Sequence, residues 1–380
     1  MSAPARSRRI AIFGLSITSS WGNGHATTYR SLIKGLAARG HEVVFYERRQ
    51  PWYEAHRDLR HSNPCEIVLY DSVPELNAIC RGNVDADVAI VGSYVPEGIQ
   101  VAEWLLAHTN AVTAFYDIDT PVTVAALDQR SCAYLSPALI PELDLYLSFA
   151  GGPVLDTLMH RYGARQAVPL YCSVDPEQYF PMEAEKLYDL AYLGTYSPDR
   201  QPKLDLLLTG PAQHWPDGRF CVAGPQYPRE ISWPPNVVRL EHVPPTGHCH
   251  FYNAQRFALN VTRRDMVASG FSPSVRLFEA AACGVPIVSD HWNGLERFFT
   301  PGREILIAES RRDVLVALRG MPPEQAEEIG ARARARVLCE HTSTHRAMEL
   351  ERYVEGVRPG AGRAAHPDFP VTLPSSAPLQ

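Results

Sequence analysis

The sequence has no run of 18 apolar residues, the length an apolar helix needs to cross a bilayer, so no integral membrane segment is expected. An apolar signal core is also missing after the short basic start MSAPARSRR, and the chain is therefore expected to be soluble and cytoplasmic. Its eight cysteines, at 65, 80, 132, 172, 221, 249, 283 and 339, form no CxxC pair. That scatter offers neither a zinc site nor a disulfide framework and fits a reducing compartment. An excess of positive charge is absent too: 36 Lys and Arg stand against 42 Asp and Glu, a net charge of −6. No nucleic-acid partner is expected without a basic footprint. What is present is ordinary for a globular chain: 45% hydrophobic and 21% charged residues over 380 positions, enough for two separate cores.

Short apolar runs alternate with amphipathic stretches. Runs at 10–14, 42–46, 66–70, 88–91, 111–116, 143–149 and 167–171 read as strands, and so do runs at 188–193, 220–223, 237–240, 257–261, 285–288 and 305–308. Between the first two, Tyr29, Leu32, Ile33, Leu36 and Ala37 recur at helical spacing, and Gly40 supplies the stop. Repeated strand and helix in this order predicts parallel sheets, that is, two Rossmann-like doubly wound α/β domains. In open sheets of this kind ligands bind at the carboxyl ends of the strands. The loop after the first strand, containing Gly22, Asn23, Gly24 and His25, lies at such an end but lacks the GxGxxG spacing of a dinucleotide site. The loop is read as acceptor-binding through Gly22, Asn23 and Gly24, and His25 reads equally as a site residue or as a helix-capping or solvent-exposed one. Asp117 and Asp119 follow the fifth strand, where at least one is expected to act at the site, although Asp119 also fits the cap of a helix starting near Pro121.

The most informative stretch is Ser269 to Asp290, SGFSPSVRLFEAAACGVPIVSD. Ser272, Pro273 and Ser274 form a helix-start cluster, so a helix is expected from about Ser274. Val275, Phe278, Glu279 and Ala282 share one face, and Gly284 sits at the position of a C-terminal cap before a short apolar strand. A helix N-terminus carries about half a positive charge and free N–H donors, which suits a phosphate. Arg276 opposes the helix dipole in the first turn and makes electrostatic sense beside an anion. An ordinary packed βα unit would show the same pattern.

The run RLFEAAACGVPIVSD resembles the donor-site signature of GT-B glycosyltransferases of the retaining family 4 type, and SPSVRLFEAAACG is most similar to the spore-maturation (CgeB-type) group. The resemblance implies a nucleotide sugar of UDP, GDP or dTDP as donor, an acceptor entering from the first domain, and no further cofactor. It implies that Glu279 binds the ribose, that Ser272, Ser274, Val275 and Arg276 hold the diphosphate, and that Thr195, Arg200, Lys203 and Arg263 supply donors at neighbouring strand ends. Backbone at His242 and Val243 would read the base. Val174, Asp175, Phe180 and Pro181 match an interdomain hinge. This divides the chain into 1–178 and 179–340, with a terminal helix at 341–357 crossing back and a disordered tail at 358–380. Where the family often has a second glutamate stands Phe271, and Tyr116-Asp117 replaces a His-Asp pair. The DxD triplets, Asp85-Ala-Asp87 and Asp117-Ile-Asp119, lie outside the donor loops, so no metal is expected. The expected reaction is glycosyl transfer, with retention implied by the resemblance; the alternatives are a nucleotide-sugar epimerase or hydrolase, and a non-catalytic binding protein.

Overall fold

The computed structural model describes residues 6–21, 24–59 and 64–360. Gly22 and Asn23 of the glycine-rich loop, and 361–380 of the expected tail, lie outside the described residues.

Two parallel sheets organise the chain. The first contains β1 (Arg9–Gly14), β2 (Glu42–Arg48), β3 (Glu66–Tyr70), β4 (Val88–Gly92), β5 (Val112–Asp117), β6 (Leu145–Ser148) and β7 (Ala167–Pro169), in the order β3-β2-β1-β4-β5-β6-β7. The second contains β8 (Tyr188–Leu193), β9 (Phe220–Ala223), β10 (Val237–Leu240), β11 (Gln255–Asn260), β12 (Ile287–Ser289) and β13 (Leu306–Ile307), in the order β10-β9-β8-β11-β12-β13. Both sheets run outward from their first strand in each direction, which is the doubly wound arrangement. Each strand expected from the sequence is found. Burial explains why such short runs suffice: β4 is buried along its whole length, as strands covered by helices on both faces must be.

The helix that begins after Ser274 spans Val275–Ala282. Gly284 follows with φ of 71°, the left-handed geometry a glycine adopts without strain. Among the helices not read from the sequence pattern are Pro245–Asn253, Arg264–Ser269 and Arg311–Gly320. The last had a legible signal, since Ser310 and Asp313 form a capping box.

The Ser343–Glu355 helix lies against the Gly24–Ala38 helix of the first sheet. Arg39 grips Glu351 with Nε and Nη2 at 2.5 and 2.7 Å, and Ser343 N–H donates to Val174 O at 3.0 Å. The chain end thus fastens the second sheet's surroundings to the first. One continuous apolar cluster runs from Ile12 and Ile90 through Tyr171 to Phe278 and Phe298, with the Tyr171 and Phe298 rings edge to face at 4.9 Å. No helix among the described residues is long and apolar enough to cross a membrane.

Candidate functional site

The carboxyl ends of β8, β9 and β10 converge on a cavity of about 180 Å³ that is also lined by Ser20, Gly24 and Thr27 from the first sheet's side. Gly224, after β9, packs so close that a Cβ would lie 2.1 Å from Gly194 O; only glycine lets the two loops meet there. Thr195, His242, Val243, Val275, Arg276 and Glu279 line the cavity together, as do Gly194, Pro225, Pro245, His248 and Tyr252.

The start of the Val275–Ala282 helix is built for a guest. Ser274 stands at its cap with extended backbone, but its side chain makes no bond into the helix. Its hydroxyl donates instead to Asn260 Oδ1 at 2.7 Å. Side-chain capping normally satisfies one of the first N–H groups; here Leu277 N–H bonds Ser274 O at 3.1 Å, and no side-chain oxygen covers the N–H groups of Val275 and Arg276. Asn260 is the hub of the arrangement: its Oδ1 also accepts from Arg276 Nη1 at 2.8 Å, and its Nδ2 donates to Ser289 Oγ at 2.9 Å.

Arg276 is buried, and its guanidinium also donates to Leu193 O at 2.6 Å and sits over the Tyr192 ring at 4.5 Å. The helix dipole makes Arg276 out of place without an anion, and here the structure corrects the expectation. The side chain turns back from the helix and satisfies carbonyl and amide oxygens, so it stabilises the empty protein as well as presenting charge to the cavity. Glu279, 4% exposed, accepts from Tyr252 Oη at 2.8 Å, and Tyr179, whose hydroxyl lies 3.3 Å from His248 Nδ1, is close enough to feel its charge. Burial and the Glu279 carboxylate hold both phenols well above their usual pKa, so they remain donors. A carboxylate has about four acceptor positions, which leaves room for a diol.

Arg200, Lys203, Arg263, Ser272 and Ser274 are not among the residues lining this cavity. Arg200 Nη1 donates to Tyr192 Oη at 3.0 Å, behind Arg276. Arg263 pairs with Asp199 at 3.7 Å, and Lys203 lies near enough to Asp290 to favour its charged form. Ser272 is buried. Phe271 has φ of 47°, its ring lies against Gly152 and Gly294, and its carbonyl accepts from Gly151 N–H at 2.9 Å. The aromatic thus ties the two halves of the cleft together at the place where the resemblance foresaw a carboxylate.

On the first sheet, His25 Nε2 lies 3.9 Å from Asp119 Oδ2, with both side chains mostly covered. Asp119 occupies the cap position of the Thr120–Asp128 helix, yet its side chain does not bond into the helix and faces His25 instead. Asp117 departs from expectation. It is 0% exposed, and its carboxylate accepts from Tyr146 Oη at 2.5 Å and Thr123 Oγ1 at 2.7 Å. The reason is that β5 extends one residue further than the sequence indicates: Asp117 is its last residue and pairs with Ser148 of β6. The strand ends before Asp119, so the two carboxylates diverge rather than sharing a face. Desolvation, the largest cause, raises the Asp117 pKa to about 6.

Residues 200–352 match the family model described as glycosyl transferase-like. No curated protein matches the chain in sequence. Among solved structures, sucrose-phosphate synthase from Thermosynechococcus elongatus superposes with a TM-score of 0.67 at 15% identity, covering 92% of this chain and 99% of that one. The fold is GT-B. HepE from Anabaena, in complex with UDP and glucose, gives a TM-score of 0.66 at 11% identity, over 92% of this chain and 100% of its own. An alpha-glucosyltransferase in complex with UDP and a 13-mer DNA gives 0.68 at 13% identity, with the same coverage. In GT-B terms, the cavity described above lies between the two Rossmann-like halves.

Residues that the sequence reading missed are Tyr252, His248 and Asn260. Asn260 ends a strand and was within reach of the rule that strand ends bind. Tyr252 and His248 ride on the unforeseen Pro245–Asn253 helix, whose only local signal is the Pro244-Pro245 start.

Proposed function

We propose that this chain is a glycosyltransferase that moves a sugar from a nucleotide diphosphate sugar to an acceptor hydroxyl. The observation that carries the reading is the uncapped Val275–Ala282 helix start, flanked by the Arg276 guanidinium and by Glu279, in a cavity shared by both halves. A diphosphate at that N-terminus would accept from the free N–H groups and from Arg276, and as the glycosidic bond breaks, the growing charge on the leaving oxygen would be stabilised where these dipoles already point. Glu279 would accept two ribose hydroxyls while Tyr252 holds it in place. The backbone at Val243 and Thr195 would meet the base. This scheme asks for no metal ion and no cofactor beyond the donor.

UDP is the first candidate for the carrier, because HepE and the alpha-glucosyltransferase were solved with UDP. GDP and dTDP sugars follow. On the first sheet, His25 with Asp119 would orient the acceptor hydroxyl or take its proton. Transfer with retention and membership of the family 4 and CgeB-type groups are part of the proposal, resting on the RLFEAAACG run. So are the division at 178/179 and a cytoplasmic setting, the latter supported by eight free cysteines.

Incubation of the purified protein with UDP-, GDP- and dTDP-sugars, with and without an acceptor panel that includes sugars and DNA, tests the reading. Acceptor-dependent release of the nucleoside diphosphate is expected, and NMR of the product reports its anomeric configuration. Turnover of donor alone to a free sugar or an epimer would replace transfer by hydrolysis or isomerisation. Binding without turnover across the panel would make the chain a binding protein.

A further inference from the structure

A second cavity, of about 700 Å³, lies at the seam between the two halves and shares no lining residue with the first. Tyr171 lines it from the first half, Arg297 and Phe298 line it from the segment after β12, and the terminal Ser343–Glu355 helix supplies much of the remainder. Four carboxylates and four arginines face this space, and their pairing is uneven. Each carboxylate has a cation: Glu349 accepts from Arg346 at 2.9 Å and Glu351 from Arg39 at 2.5 Å, while Glu340 and Glu355 pair with Arg336 and Arg8, which do not line the cavity. Arg297 and Arg352 are left over. Neither forms an ion pair among the described residues, yet both act with Arg346 on Glu349, holding down a pKa that burial raises.

Arg346 is engaged throughout. It is 2% exposed, and besides Glu349 it donates to Cys172 O at 3.2 Å, to Glu340 O at 3.4 Å and to His341 Nδ1 at 2.6 Å. A guanidinium only donates, so His341 Nδ1 accepts and the ring hydrogen sits on Nε2. Burial, followed by the charge of Arg346, drives the His341 pKa down to about 3, and the ring is therefore neutral. His341 lines the cavity and is 6% exposed, and its Nε2 donor has no acceptor. Glu349 Oε2 is buried without a donor as well. Buried polar groups are nearly always paired, so an orphaned donor and an orphaned acceptor among the lining of one cavity mark a place where a partner is missing.

We propose that this cavity is a second binding site, outside the cleft, for a small phosphate- or carboxylate-bearing molecule whose anionic group sits on Arg297 and Arg352. A guanidinium presents its donors in a planar fork that matches either oxyanion. The volume falls in the range of about 300 to 1,000 Å³ typical of small-molecule sites, and the Tyr171 and Phe298 rings with Met348 offer an organic body an apolar wall. Arg297 belongs to the Leu295–Arg297 turn of the second half, and Arg352 to the helix fastened on the first, so a molecule held by both spans the seam. The site does not depend on the glycosyl-transfer reading.

The test is calorimetry of the full chain with inorganic phosphate, glycerol phosphate and citrate, for wild type, Arg297→Gln, Arg352→Gln, Arg297→Lys and Arg276→Gln, with circular dichroism to confirm folding. Expected is saturable binding of at least one probe, weakened about tenfold or more in each Gln variant at the seam, partly restored in Arg297→Lys and unchanged in Arg276→Gln. A preference for glycerol phosphate or for citrate identifies which oxyanion the site takes. Absence of saturable binding with all three probes, or wild-type affinity in both folded seam variants, overturns the inference. Binding that only Arg276→Gln abolishes puts the anion in the donor cavity and overturns it too. Each of these results leaves the glycosyl-transfer reading standing.

Discussion

The two sheets share one strand order and put opposite kinds of side chain at their carboxyl ends. On the second, Arg276, which lines the cavity, is tied to a framework behind it: Ser274, Arg276 and Ser289 all bond Asn260, and Arg276 also bonds Leu193 O. Such a framework is bonded together in the empty protein, so a ligand bound there would need little reordering of these side chains. On the first, His25 and Asp119 approach only to 3.9 Å, next to a glycine-rich loop. On the proposed function, the difference teaches how a duplicated architecture can divide labour: one half would hold the donor on a bonded framework, and the other would bring His25 and Asp119 to the acceptor.

The division can be broken most sharply from the first sheet. His25→Ala and Asp119→Asn should each lower kcat by a factor of about 100 to 10,000, the range for a lost general base, while donor affinity measured by calorimetry stays within about twofold. Equal losses in donor binding and kcat would show that the first sheet also holds the nucleotide, and the contrast would be gone. Next comes Glu279→Ala, which should weaken donor binding by about 1.5 to 3 kcal/mol, the worth of hydrogen bonds to a charged group, with the fold retained. Unchanged donor affinity in the folded variant takes Glu279 out of the site.

Arg276→Gln sharpens the comparison through stability. Because the guanidinium bonds Leu193 O and Asn260 Oδ1 in a buried setting, the empty variant should unfold about 1 to 3 kcal/mol more easily, and it should also bind the nucleoside diphosphate more weakly. A variant as stable as wild type in urea would return Arg276 to the role of a pure ligand contact. The smallest effect is expected for Ser274→Ala, which removes one of the donors to Asn260 and none from the helix: about 0.5 to 1.5 kcal/mol of stability. A loss above that range would mean that the hydroxyl caps the helix after all, and urea titration of the empty protein decides it.

Much of the frame is legible from residue order. Apolar runs bounded by Gly and polar clusters mark out both sheets, and the Ser-Pro-Ser start locates the Val275–Ala282 helix to within a residue. Arg276 stands out because a cation in the first turn of such a helix opposes the dipole, and Glu279 through the resemblance of the run around it. The acceptor side is less legible. Asp117 and Asp119 look alike in sequence, yet one is sealed between β4 and β6 and the other faces His25.

The sequence by itself determined the strands, their parallel pairing and the start of the Val275–Ala282 helix, because periodicity, caps and turn residues act over a few neighbouring positions. Tertiary structure alone decided the partners. Tyr252 reaches Glu279 across 27 positions, Arg276 reaches Leu193 across 83, and the terminal Glu351 reaches Arg39 across 312. No local pattern encodes such pairs. They follow from where the crossovers carry each strand end, and the desolvation that comes with that placement turned Asp117 from a cleft carboxylate into a buried one with its pKa raised to about 6.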